Sequence, residues 1–315
     1  MDNFIIIFGF VIGLVAIIKG GDYFVDAASW VAEASGIPKF IVGATIVSLA
    51  TTLPEIIVSS MAAYNGSVDM AIGNSIGSII ANTGMILAIS IIFMPVVFDR
   101  SKLIIKAGLL LLVILALGLL SISGELTLGK SFILFALFGF FIYENVKRAR
   151  ELDDDSLEGA SIPKDKKTVI VNIIKFVVGT LGIVIGSRLL VNNGTELAIM
   201  VGIPESVVGL TAVAIGTSLP ELVTTINAIV RKEFSLSAGN IIGANIINAT
   251  LILPICAMIS SGSIPVSTRT LVFDLPIAFV VAAIALIPAL IKGRFQRWQG
   301  ITVLGIYVAY VICLF

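Results

Sequence analysis

Two glutamates are set in nearly the same run of residues. Glu55 closes Thr51-Thr52-Leu53-Pro54-Glu55, and Glu221 closes Thr217-Ser218-Leu219-Pro220-Glu221. Each carboxylate lies four residues after a threonine, which places both side chains on one face of a helix. The intervening proline has no N–H to give the carbonyl one turn back, and its ring crowds that carbonyl. The carbonyls of Ala50 and Thr51, and of Gly216 and Thr217, are therefore candidates to point at a ligand. Two bidentate carboxylates with two carbonyls supply about six oxygens, within the range of about 6–8 that calcium takes. The chain has no histidine, and its two cysteines, Cys256 and Cys313, lie inside apolar runs. Hard oxygen donors of this kind argue against zinc, copper or iron.

The glutamates belong to a longer repetition. Gly36-Ile37-Pro38 recurs as Gly202-Ile203-Pro204, and Gly73-Asn74 with Gly77 and Asn82 recurs as Gly239-Asn240 with Gly243 and Asn248. The offset is constant, since 221 − 55 and 248 − 82 both give 166. Residues 36–55 and 202–221 match at 11 of 20 positions without a gap. Asn74, Ser78 and Asn82 fall every four residues on one helix face, as do Asn240, Ala244 and Asn248. Gly73 and Gly77, with Gly239 and Gly243, offer small surfaces for close helix approach. Taken singly, each feature has an ordinary structural use: a glycine pair for packing, an asparagine as interhelical glue, a proline as a kink. Their joint recurrence at one offset is what points to a site.

The elements that position these residues must lie in lipid. Of 315 residues, 58% are hydrophobic and 13% charged, with a mean hydropathy of +1.11. A soluble domain carries about 25% charged residues. Spans of about 20 apolar residues are expected over 4–20, 38–64, 69–93, 103–122, 128–146, 169–190, 204–230, 236–261, 271–291 and 298–315. The fold class is an all-α membrane protein with ten transmembrane helices. Residues 1–146 form a first repeat, 147–168 a cytoplasmic linker and 169–315 a second repeat. Five spans per repeat is an odd number, so the second copy enters from the opposite face, as in secondary transporters built from inverted repeats. The run from Phe4 has no basic segment before it and leads into Lys19-Gly20-Gly21, so it reads as a span rather than a cleavable leader.

Alternating across ten spans puts 17 of the 20 basic residues on one side, leaving Lys130, Arg188 and Arg269 on the other. The basic side is cytoplasmic, which places the linker inside and both termini outside. Glu55 and Glu221 then sit near mid-membrane, where a charge costs about 2.5–3.5 kcal/mol. With no Lys or Arg at that depth, the fitting partner is a transported cation or a proton. The acidic run of the linker (Glu151, Asp153, Asp154, Asp155, Glu158) reads as solvated surface. Twenty basic against twenty acidic residues give no field for nucleic acid. Without histidine or mid-span aspartate, an intramembrane protease is excluded on chemistry.

With Gly43-Ala44-Thr45, these motifs resemble the two signature repeats of the sodium/calcium exchanger family in the cation/calcium antiporter superfamily, over nearly the whole chain. The resemblance implies ten helices with spans 1 and 6 sliding across a core of the others. It implies exchange of calcium for sodium by alternating access, with no resident cofactor and no protein partner beyond the lipid bilayer. Calcium would be held by Glu55, Glu221 and the carbonyls of Thr51 and Thr217. Sodium sites would add Thr52, Ser78 and Ser218 with the carbonyls of Ser48 and Ala214, and Asn82 and Asn248 would lie at the centre. Two positions depart from the family, whose members often carry aspartate at 248 and serine at 244. The linker has no room for the large calcium-sensing domains of animal exchangers. A calcium/proton antiporter and a cation channel remain the alternatives at this level.

Overall fold

The computed structural model describes residues 3–95, 100–155, 165–200 and 218–314, which are helical apart from turns and one strand pair. In chain order the helices are α1 (Asn3–Ser35), α2 (Lys39–Val42), α3 (Ser48–Thr51), α4 (Leu53–Tyr64), α5 (Val68–Ala81), α6 (Ala88–Phe93) and α7 (Arg100–Ser121). They continue as α8 (Leu128–Asp155), α9 (Lys166–Met200), α10 (Leu219–Val230), α11 (Phe234–Ile247), α12 (Leu253–Ile259), α13 (Leu275–Lys292) and α14 (Arg297–Ile312). Wider π-helical turns at Gly43–Val47, Asn82–Leu87 and Asn248–Ile252 join α2 to α3, α5 to α6 and α11 to α12. Another, Thr270–Asp274, leads into α13.

Among the described residues, seven stretches are long and apolar enough to cross a membrane: Phe4–Ser35, Val68–Phe93, Leu103–Ser121, Leu128–Ala149, Lys166–Gly194, Phe234–Ile259 and Thr270–Lys292. An eighth is the pair Lys39–Thr51 and Leu53–Tyr64, bent by 44°. The bend falls at Thr52, and Pro54 sits in the first turn of α4, where a missing N–H removes no helical bond. The first part of the span expected over 204–230, up to residue 217, lies outside the described residues.

Three boundaries correct the sequence reading. Helix α1 runs on to Ser35 rather than ending near 20, and α9 covers 166–200 rather than 169–190. At 1.5 Å per residue, 33 and 35 residues make rods of about 50 Å, longer than a bilayer core of about 30 Å. The acidic residues of the added stretch have basic partners. Arg231 bonds Asp26 and lies 3.3 Å from Asp22, Lys175 lies 3.7 Å from Asp26, and Lys39 reaches Glu33 at 2.9 Å and Glu233 at 2.5 Å. The third correction is α8, which continues to Asp155. The expected linker 147–168 therefore begins and ends as helix, and 156–164 lie outside the described residues.

Helices α1 and α9 form an antiparallel pair along facing glycines. A Cβ on Gly13 would stand 2.9 Å from the Gly186 carbonyl, and one on Gly20 the same distance from that of Gly179. Lipid gives no hydrophobic reward for helix contact, so close backbone approach is what holds such a pair. The remaining helices pack around Ile79, Ile80, Ile86 and Leu87 from one half and Ile241, Ile242 and Ile246 from the other, all buried. An antiparallel strand pair, β1 (Glu125–Thr127) with β2 (Ser263–Pro265), ties two loops together. No alternation in the sequence announced it.

Candidate ion-binding site

Both glutamates occupy the first turn of a helix, Glu55 in α4 and Glu221 in α10. There the free N–H groups and the positive end of the helix dipole favour negative charge. The repeated Leu-Pro-Glu run thus starts a helix in mid-chain and places a carboxylate at its N-terminal end. Both side chains are 0% exposed.

Hydroxyls of the first half reach across to the second. Thr52 Oγ1 donates to Glu221 Oε1 at 3.4 Å, and Thr51 Oγ1 donates to Asn240 Oδ1 at 3.0 Å. Glu221 therefore meets the break from which the helix of Glu55 begins. The Thr51 hydroxyl also stands against Glu221, while both Glu55 oxygens and Glu221 Oε2 are buried without a hydrogen-bond partner. The ion pairs among the described residues involve neither glutamate. One buried base does exist, Lys106. It bonds Asn145 of α8 and lies 5.1 Å from the ring centroid of Phe40, so it serves the contact of α7 with α8 and α2.

Asn82 and Asn248 each open a π-helical turn, are fully buried and leave their whole side-chain amides unpaired. Ser218 Oγ is likewise buried and unpaired. Ser48 gives its hydroxyl to the Thr45 carbonyl at 3.1 Å, and Ser78 is buried in α5. The structure thus brings together Thr51, Thr52, Glu55, Ser218 and Glu221, with Asn82 and Asn248 at the π-turns. Ala214 and Thr217 lie outside the described residues. Ala244, at the position matching Ser78, is fully buried and contributes no hydroxyl.

Unpaired buried carboxylate oxygens are too costly to leave without a cation or a proton. The two carboxylates, with the Thr51 and Thr52 hydroxyls against Glu221, offer oxygen donors alone. Such a donor set suits sodium or calcium and not a zinc-type ion.

The helices that carry the site are held by glycines. A Cβ on Gly243 would stand 2.6 Å from both the Ala44 carbonyl and Ser48 Oγ, and one on Gly239 would be 3.0 Å from the Ala44 amide nitrogen. Helix α11 thus lies directly on the segment 39–51. For Gly73 and Gly77 the expected close approach is not seen among the described residues. The partners matching Phe40 and Ala44 would be positions 206 and 210, which lie outside them.

Two further polar residues escaped the repeat comparison because their counterparts are apolar. Ser75 donates to the Asn248 carbonyl at 2.7 Å, where position 241 is Ile; Asn245 donates to Thr83 Oγ1 at 2.7 Å, where position 79 is Ile. Each fastens the π-turn of the opposite half. The available signal was a lone polar residue in an otherwise apolar helix.

Comparison with known proteins gives the family of the chain. The family model for sodium/calcium exchanger proteins matches residues 5–146 and 171–315. The chain is 30% identical to the sodium/calcium exchanger MaX1 of Methanosarcina acetivorans, covering 99% of this chain and 98% of that one. It is 35% identical to the inner membrane protein YrbG of Escherichia coli over 81% and 80% of the two chains. Among solved structures, the sodium-calcium exchanger NCX_Mj soaked with sodium and strontium superposes with a TM-score of 0.85 at 27% identity, covering 98% of this chain and 99% of that one. The chain belongs to the sodium/calcium exchanger family of membrane antiporters.

Proposed function

We propose that this exchanger holds one calcium ion between Glu55 and Glu221, with the carbonyls of Thr51 and Thr217 completing the shell, and exchanges it for sodium at the same place. The observation that carries this reading is the pair of fully buried carboxylates with three oxygens unpaired. Sodium sites use Thr52, Ser78 and Ser218 with the carbonyls of Ser48 and Ala214, and Asn82 and Asn248 stand at the centre. Two carboxylates balance one calcium, so more than two sodium ions per cycle make the exchange electrogenic. Five spans in each half make ten helices in two inverted repeats, 1–146 and 169–315. The rigid pair α1 and α9 shifts across the remaining core to expose the ions to one face and then the other.

Ala244 tests the sodium sites. Serine there would restore the hydroxyl that Ser78 supplies in the first half. Ala244→Ser is expected to raise the apparent sodium affinity of calcium flux by roughly two- to tenfold, the worth of one added hard-oxygen contact of about 0.5–1.5 kcal/mol. An unchanged sodium dependence would remove Ser78 and position 244 from the sodium sites.

Orientation is tested by labelling. A cysteine at Ser161, in a Cys313→Ser background, is expected to react with an impermeant thiol reagent only from the cytoplasmic face. Native Cys313, which is exposed, should react from outside. Labelling of Ser161→Cys in intact cells would reverse the topology argued from 17 basic residues against 3.

A further inference from the structure

Asn74 and Asn240 occupy equivalent positions at the offset of 166, yet the structure uses them differently. Asn74 stays within its own half: its Nδ2 donates to Ser59 Oγ at 2.8 Å and to the Glu55 carbonyl at 3.5 Å. The residue matching Ser59 is Thr225, and it is engaged by Ser237 at 3.3 Å instead. Asn240 turns across the boundary between the halves, where its Oδ1 accepts the Thr51 hydroxyl at 3.0 Å. It is fully buried, and its Nδ2 has no hydrogen-bond partner.

Besides Asn240, the Thr51 hydroxyl faces the Ser48 carbonyl of its own helix at 3.3 Å and the Glu221 carboxylate. The bond to Ser48 is the ordinary resting place for a helical threonine hydroxyl. Asn240 competes for the hydroxyl from outside the helix, at shorter range. The same contact fixes the last turn before the break, where the Thr51 and Ser48 carbonyls lie. Helix α11 also touches this segment directly, since a Cβ on Gly43 would be 3.0 Å from the Asn240 backbone nitrogen. Asn240 is therefore mounted on a stiff support facing the turn.

We propose that Asn240 is a positioning residue that sets calcium selectivity: by holding the Thr51 hydroxyl it fixes the place of the Thr51 carbonyl and hence the size of the ion cage. Discrimination among alkaline-earth ions depends on cavity size and on how rigidly the oxygens are held. A cage that loses one strut accepts a larger ion more readily. Asn74 has no strut across the halves and serves packing of α4 on α5. The inference rests on the calcium site proposed above.

The test uses the full-length exchanger in proteoliposomes, with calcium, strontium and barium supplied in turn under a sodium gradient. Asn240→Ala is expected to raise the KM for calcium by about three- to tenfold, the worth of one buried hydrogen bond, with kcat little changed. It should also move the calcium-to-barium ratio of kcat/KM toward unity. Thr51→Val, which keeps the carbonyl and the shape, should shift the ratio at least as far without touching Asn240, since it also takes the hydroxyl from Glu221. In the Thr51→Val background Asn240→Ala should shift the ratio no further, because Asn240 acts through the Thr51 hydroxyl. Asn74→Ala should lower thermal stability and leave the ion ratio in place. An unaltered ratio in both Asn240→Ala and Thr51→Val, strict additivity in the double variant, or an equal shift in Asn74→Ala would overturn the assignment. Any of these with Glu55→Gln and Glu221→Gln still inactive removes the role of Asn240 alone and spares the calcium site.

Discussion

Replacing Glu55 or Glu221 by glutamine is expected to abolish calcium transport while the protein remains folded. On the proposed site, each carboxylate supplies half of the charge that neutralises a divalent ion, and both are fully buried. Removing one partner of a buried charge pair costs about 3–5 kcal/mol, or roughly two to three and a half orders of magnitude in affinity. The amide keeps the shape of the side chain and is cheaper to bury than a bare carboxylate. The ion-free variants should therefore be at least as stable as the parent. A second readout separates binding from folding. Calcium at one hundred times its Kd stabilises a protein by about 2.7 kcal/mol, so the parent should show a clear rise in Tm on adding calcium. Both variants should lose that rise. A variant that exchanged calcium at near parental rates would dissolve the proposed site.

The second large effect is expected at the glycines under the site. A methyl group on Gly43 or Gly239 would overlap a backbone carbonyl, that of Leu236 or Phe40 respectively, and backbone cannot rotate aside as a side chain can. Overpacking of this kind costs about 1–3 kcal/mol. Gly43→Ala and Gly239→Ala should each lower the Tm in detergent and reduce transport, and Gly239→Leu should force α11 off the segment 39–51 and eliminate transport. Gly108, Gly118 and Gly139 supply the control, since a Cβ on any of them meets nothing within 4 Å. Alanine there should be neutral or stabilise by about 0.5–1 kcal/mol through helix propensity. Equal losses at both sets of glycines would show that the close approach of α11 carries no special weight.

The centre of the protein was legible because it is written twice. The offset of 166 marked the two glutamates and the paired asparagines without any coordinates, whereas the helix starts at Leu53 and Leu219 fall inside stretches expected as unbroken spans, 38–64 and 204–230. Features that break the repeat were not legible that way: Ser75, Asn245 and the cross-half contact of Asn240 have no matching partner to call attention to them. Span length failed at α1. The span expected over 4–20 stops short of Asp22, Asp26 and Glu33, but Arg231, Lys175 and Lys39 pair with them as α1 continues to Ser35. The π-turns leave no mark of their own in the sequence; what accompanies them are contacts from the other half, Asn245 at Thr83 and Ser75 at the Asn248 carbonyl. The pair β1–β2 is three residues long on each strand, too short for an alternating pattern to stand out.

On the proposed function, sodium drives calcium movement through the carboxylate site, and calcium flux into proteoliposomes under separately imposed sodium and proton gradients decides it. A sodium gradient of opposite direction should drive calcium accumulation at fixed pH, and a pH gradient alone should drive none. Without a counter-ion on the far side, flux should stop, as it would not in a channel. Calcium flux that followed the pH gradient and ignored sodium would contradict the account.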